Sequence, residues 1–197
     1  VMLIALSMTG SERHRREKRI ARLAARDPLT ALYNRRALEM RGQRLLDSVS
    51  AARPGALLLM DVDNFKLVND LYGHSAGDRL LVALSEIIRS ALPKGALVAR
   101  LGGDEFVMLL SDTSSEQILA LGRTLREAFH SIASETFSTP QPVTLSIGAN
   151  LFSQPPPSLA TLLERSDAAL YESKRGGRNR IQLVDQSLEG GNALHLP

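Results

Sequence analysis

Two apolar runs of strand length, residues 96–101 and 105–110, are separated only by Gly102, Gly103 and Asp104. Adjacent glycines supply the positive φ angles that a tight antiparallel turn needs, so the segment reads as a β-hairpin. A hairpin in mid-chain excludes an all-parallel, doubly wound sheet, in which each strand returns through a crossover helix. The fold must therefore mix antiparallel pairs with whatever the helices impose.

The patterning on either side supplies those helices. Asn34 is an N-cap for a helix running to about residue 50, with Ala37, Leu38, Leu45 and Leu46 inward. Residues 56–60 are a continuous apolar run, the mark of a buried central strand. A short helix is expected over 65–72, a break at 73–77 (GHSAG), and an amphipathic helix over 78–92. After the hairpin come a helix over 114–132, an alternating strand over 143–151, a rigid Pro-rich connector and a helix over 158–174. Gly176 and Gly177 end that helix, and a last strand covers 180–184. Residues 185–197 carry no pattern and are expected to be flexible. The predicted fold class is α+β: a mixed, mostly antiparallel central sheet flanked by helices and preceded by an N-terminal helix.

Composition narrows the chemistry. The 197 residues include no cysteine, which excludes disulfide scaffolds, thiolate metal sites and a cysteine nucleophile. There is no tryptophan and aromatics are 4%, which argues against stacking platforms for nucleic acid. Lys+Arg number 24 and Asp+Glu 21, a net charge of +3, and the excess is local. Residues 12–26 hold seven Lys/Arg and two Glu, net +5, so the remainder is close to −2. That segment reads as a charged helix, stopped by Asp27-Pro28. The apolar run at 1–8 is too short to span a bilayer. It is either the inner end of a membrane helix with the Arg-rich stretch as its cytoplasmic flank, or the apolar start of a soluble helix.

Two acidic groups stand out. Asp61 and Asp63 follow the buried strand at positions i and i+2, which share one face of an extended chain. Burying two unpaired charges costs several kcal/mol each, so a cation is the natural partner, and Mg²⁺ takes one or two carboxylates together with substrate phosphates. Lys66 stands nearby as a point charge for a phosphate. The hairpin tip adds Asp104 and Glu105, which the turn geometry does not require. Acidic clusters on two neighbouring strands strengthen the metal reading.

Gly102-Gly103-Asp104-Glu105-Phe106 resembles the GGDEF signature of diguanylate cyclases. Residues 27–36 (DPLTALYNRR) resemble that family's opening motif, and residues 61–70 (DVDNFKLVND), Tyr72, His74, Gly77 and Asp78 its central block. Residues 145–148 (LSIG) and 168–179 (AALYESKRGGRN) resemble its closing motifs. The match runs from 27 to 184 in the family's order, and it implies a nucleotide-cyclase or palm-like fold.

The resemblance implies condensation of two GTP into cyclic di-GMP with release of two pyrophosphates, in bacterial second-messenger signalling. It implies Mg²⁺ or Mn²⁺ held by Asp61, Asp104 and the Val62 carbonyl, with Glu105 in the same cluster and Asp104, Glu105 and Lys66 in catalysis. Guanine contacts fall on Asn69 and Asp78, with His74 nearby; phosphate contacts fall on Lys66, Lys174, Arg178 and the backbone around Asn64 and Phe65. One domain holds one GTP, so a homodimer is implied, set by a coiled coil over 12–26 in which Ile20 and Leu23 form a short seam. An upstream sensor and a place on the cytoplasmic side of the inner membrane are further expectations; a nucleic-acid partner is not.

The chain departs from the family where many members carry an Arg-x-x-Asp product-inhibition site. Residues 93–96 are PKGA, so no such site is expected. Two rival readings are a catalytically silent GTP-binding or product-sensing module, and a polymerase-like or mononucleotide cyclase with the same acidic logic.

Overall fold

The computed structural model describes residues 25–154, 158–186 and 192–196. The helix expected over 12–26 and the apolar run at 1–8 lie outside these, save for residues 25 and 26. The elements are β1 (Tyr33–Asn34), α1 (Arg35–Leu46), β2 (Gly55–Asp63), α2 (Phe65–Tyr72), α3 (His74–Ala91), β3 (Leu97–Gly102), β4 (Glu105–Ser111), α4 (Ser115–Thr136), β5 (Thr144–Phe152), α5 (Leu159–Arg175), β6 (Ile181–Asp185) and β7 (Asn192–Leu196).

The strands form a seven-stranded sheet in the order β1-β3-β4-β2-β5-β6-β7. The β1–β3 and β5–β6 pairings are parallel, and the other four are antiparallel. The expected mixed, mostly antiparallel sheet is thus the observed one. Helices cover both faces. Leu58, Met60, Val107's neighbours Phe106 and Met108, and Leu145 pack under α2, α3 and α4. Leu57, Leu59, Leu109 and Ala99 pack under α1 and α5.

Local chemistry sets the ends of the elements. Asn34 accepts from the Ala37 N–H and starts α1, and Ser114 forms a reciprocal capping box with Gln117 at the start of α4. Residues 74–77, expected to break the chain, are instead the first turn of α3. Gly73 alone makes the break, at φ +81. Gly77 is small because of packing: a Cβ there would lie 2.1 Å from Asn69 Oδ1.

One further expectation is corrected. The patternless tail contributes β7, which pairs antiparallel with β6 over Ile181–Asp185. The free edge of β6 is a template for such pairing, which hydropathy does not register. The expected alternating strand is β5, and every one of its residues is buried. Helix α5 approaches this strand closely at Gly148. A Cβ on Gly148 would lie 2.2 Å from the Leu170 N and the Ser166 O of that helix. Ser166 Oγ also donates to the Leu57 carbonyl at 3.2 Å.

This contact yields a prediction. Gly148→Ala forces a methyl group against the α5 backbone and is expected to cost about 1–3 kcal/mol of stability, the usual range for overpacking. Urea unfolding measures it, and wild-type stability in the variant would contradict the packing described.

Candidate active site

The site grows out of one stripe of β2. Along the face under α5 the side chains run Leu57, Leu59, Asp61, Asp63, apolar and then acidic. The strand extends through both acids rather than ending before them, as the sequence suggests. Its pairing with β4 stops at Asp61–Glu105, while its pairing with β5 continues to Asp63–Thr144. Beyond Asp61 the β4-facing edge of β2 therefore carries no partner strand, while Val62 and Asp63 stay paired with β5.

The hairpin brings the second pair of acids to the same end. Gly102 and Gly103 have φ +148 and +51, and a bulge falls between Arg100 and Gly102. Glu105 lies directly across from Asp61, with Asp104 one residue nearer the tip. The tip is anchored from behind. Arg100 donates twice to the Gly103 carbonyl, at 2.9 and 2.7 Å, and twice to the Asp27 carboxylate, at 3.1 and 3.2 Å. Burial opposes the Asp27 charge, but hydrogen bonds from Thr30 and the Arg100 guanidinium outweigh it and hold the carboxyl below its usual range. Sequence reasoning missed this tether, because Asp27 reads as a helix stop and Arg100 as part of a strand.

Helix α5 delivers the cation. Leu59 lies opposite Gly148, on which α5 rests at Leu170. From there Lys174 is four residues along the helix, about 6 Å, and Asp61 is two residues along the strand, about 6.6 Å. The two meet, with Lys174 Nζ 2.8 Å from Asp61 Oδ1. The Asp61 side chain is only 13% exposed. Burial pushes its carboxyl up to about 6 despite the Lys174 hydrogen bond and charge, and the neighbouring Asp104 and Asp63 charges push the same way.

Asp63 behaves differently from its partner in the sequence pair. It is buried, and its oxygens accept from Thr144 Oγ1 at 2.7 Å, from Ser146 Oγ at 2.9 Å and from the Asn179 N–H at 3.3 Å. Arg178 Nε lies 3.9 Å from it. The expectation that neither acid of the pair belongs to the core is corrected: Asp61 faces the site, and Asp63 is buried and committed to its surroundings. The Thr144/Ser146 alternation on β5 is the signal that points to this, once β5 is set beside β2.

The remaining residues named from the sequence surround this centre. Asn64 adopts left-handed backbone (φ +61), donates its amide to the Pro142 carbonyl at 2.8 Å and opens α2. The first N–H groups of that helix, around Phe65 and Lys66, have no intrahelical acceptor and suit an anion. Lys66 is exposed, 3.9 Å from Asp70. Asn69 Oδ1 is buried and makes no hydrogen bond. His74 and Asp78 are exposed on the first turns of α3, beside Asn69 across Gly77. Pro93, Lys94 and Ala96 line a separate pocket with Asp112 and Gln117, and no arginine lines it.

Among the described residues no three acidic or histidine side chains converge to hold a metal by themselves. Asp61 and Asp104 are the carboxylates that could hold a hard divalent cation, with substrate phosphates and water completing its shell. The mutual repulsion of Asp61 and Asp104 is the feature that such an ion would relieve. Lys174 relieves part of it in the chain alone.

The raised Asp61 pKa has a thermodynamic sign. Between the ordinary 3.8 and about 6 the folded chain holds this proton more tightly than the unfolded chain. Stability from this group is therefore present in acid and lost as pH rises through 6. In chelator at pH 7, Asp61→Asn is expected to stabilise the chain by on the order of 1–3 kcal/mol, the gain shrinking toward about pH 4. Thermal unfolding across that range checks this, and destabilisation at pH 7 would contradict it.

Comparison with known proteins agrees with this architecture. The family model for the diguanylate cyclase GGDEF domain matches residues 24–180. The chain is 40% identical over 174 residues to the diguanylate cyclase DgcM of Escherichia coli K12, covering 87% of this chain and 41% of DgcM. It is 39% identical over 165 residues to the diguanylate cyclase DgcP of Pseudomonas aeruginosa, covering 82% and 24%. The chain thus spans less than half the length of these curated relatives. The coiled coil and GGDEF domain of DgcB from Caulobacter crescentus, solved in complex with c-di-GMP, superposes with a TM-score of 0.78 at 30% identity, covering 91% of this chain and 96% of that one. The hairpin, the acidic strand end and these matches lead to one conclusion: the chain belongs to the diguanylate cyclase GGDEF domain family.

Proposed function

We propose that this domain condenses two molecules of GTP into cyclic di-GMP. The observation that carries the reading is the convergence of Asp61 on β2 with Asp104 at the hairpin tip, beside Lys174. In each of two half-reactions a ribose 3′-oxygen forms a bond to the α-phosphorus of the other GTP. The bond from that phosphorus to the bridging oxygen breaks, and pyrophosphate leaves with the electron pair.

Asp61, Asp104 and the Val62 carbonyl would hold Mg²⁺ or Mn²⁺, which supplies charge neutralisation at the phosphates and acidifies a bound hydroxyl. Glu105, across from Asp61, is the carboxylate available to accept the 3′-hydroxyl proton. Lys174, Lys66 and Arg178 stabilise negative charge on the triphosphate, together with the N–H groups at the start of α2. The unpaired Asn69 oxygen accepts from the guanine edge, and Asp78 accepts from its ring N–H and amine, with His74 alongside.

A single chain offers one such site, so the reaction needs two copies with their sites opposed. Residues 12–26 are the segment suited to align them, as the coiled coil in the DgcB structure suggests for that protein. GTP supply puts the domain in the cytoplasm, and the segment before residue 27 is where attachment to the inner membrane and to a sensor would lie.

Purified chain with GTP and Mg²⁺, assayed by chromatography for cyclic dinucleotide, tests this. Asp61→Ala and Asp104→Ala are each expected to lose at least about 100-fold in kcat, as when a group stabilising transition-state charge is removed. Asp78→Ala is expected to raise the KM for GTP while leaving kcat near wild type. Equal turnover of ATP, or normal activity in Asp104→Ala, would contradict the proposal.

A further inference from the structure

We propose that Asp63 is a positioning residue for the triphosphate and not a ligand of the cation. The inference rests on the reading that Lys174 and Arg178 meet the triphosphate. Asp63 lies one strand repeat from Asp61 and is similar to it in sequence, yet its side chain is fully buried. Each of its contacts is with a donor: two hydroxyls on β5, one backbone N–H and one guanidinium nitrogen. A carboxylate so occupied has little left to offer a cation.

What those contacts hold is the turn after α5. Gly177, Arg178 and Asn179 follow one another at φ +114, +63 and +46. Two consecutive non-glycine residues in left-handed backbone do not persist unless their surroundings fix them. The fixing groups are visible. Asp63 accepts the Asn179 N–H, Arg126 Nε donates to Asn179 Oδ1 at 3.3 Å, and Ser173 Oγ donates to the Arg180 carbonyl at 2.9 Å. The Arg178 N–H closes back on the Ser173 carbonyl at 3.2 Å. Asp63 thus ties the central strand to the turn that carries Arg178, four residues after Lys174. The Arg178 side chain is 55% exposed, with its Nε end turned toward Asp63 and the rest of the guanidinium free for a ligand.

The test compares wild type with Asp63→Asn, which keeps the shape and sets an amide against the donors. Three affinities are measured: Mn²⁺ by paramagnetic resonance, and GMP and an unreactive GTP analogue by calorimetry with Mg²⁺. The proposal expects Mn²⁺ and GMP affinity within twofold of wild type and GTP-analogue affinity at least tenfold weaker. In turnover the KM for GTP rises while kcat changes less than threefold. Loss of Mn²⁺ binding equal to that in Asp61→Asn would make Asp63 a cation ligand and overturn the proposal. Equal weakening of GMP and the GTP analogue would make its role general stability and overturn it too. Should Asp63→Asn not fold, the pair Thr144→Val with Ser146→Ala loosens the same carboxylate and carries the same expectations. If wild type binds GMP as tightly as the GTP analogue, the reading of Lys174 and Arg178 fails instead.

Discussion

Two carboxylates on neighbouring strands, Asp61 and Asp104, repel each other at the end of a sheet where burial has already raised the cost of charge. The structure around them is organised to sustain that arrangement. The hairpin tip is fixed by Arg100, which is itself fixed by Asp27, so Asp104 cannot retreat from Asp61 without loosening the Asp27–Thr30 turn. Lys174 is brought in by a helix that lies almost on the backbone of β5, over a glycine. A site assembled this way is strained electrostatically before any ligand arrives, and this is a common property of sites built to bind cations and phosphates.

The division of labour between Asp61 and Asp63 follows from strand geometry. Both project from the same face, but pairing with β4 ends at the first and pairing with β5 continues to the second. One carboxylate therefore meets the open end of the sheet and the other meets Thr144 and Ser146. Loop 176–180 then closes over Asp63, and Arg178 projects from it. In the proposed reading, the cation side and the phosphate side of the site share a strand but hang on different acids.

Much of this was legible in the sequence. The Gly102-Gly103 hairpin, the buried strand, the capping at Asn34 and Ser114 and the helix at 65–72 follow from local rules, and the structure has them. What local rules could not supply was anything that depends on a distant partner. Residues 74–77 look like a break because two glycines and a serine lie together, yet Gly77 is a packing glycine against Asn69. Strand β7 exists in the sheet because β6 offers an edge, not because of its own pattern. In the site, the acidic cluster and Lys174 were readable from residue type and motif. The Asp27–Arg100 tether and the burial of Asp63 were not, since each joins residues more than 70 positions apart.

The proposed chemistry requires Asp61 and Asp104 to converge on one cation. Crystals grown with Mn²⁺ and an unreactive GTP analogue, with anomalous scattering recorded at the manganese edge, test it most directly. The expected result is an anomalous peak within bonding distance of an oxygen from each of Asp61 and Asp104, with Asp63 outside its shell. A peak on Asp63, or manganese bound to only one of the other two acids, would contradict it.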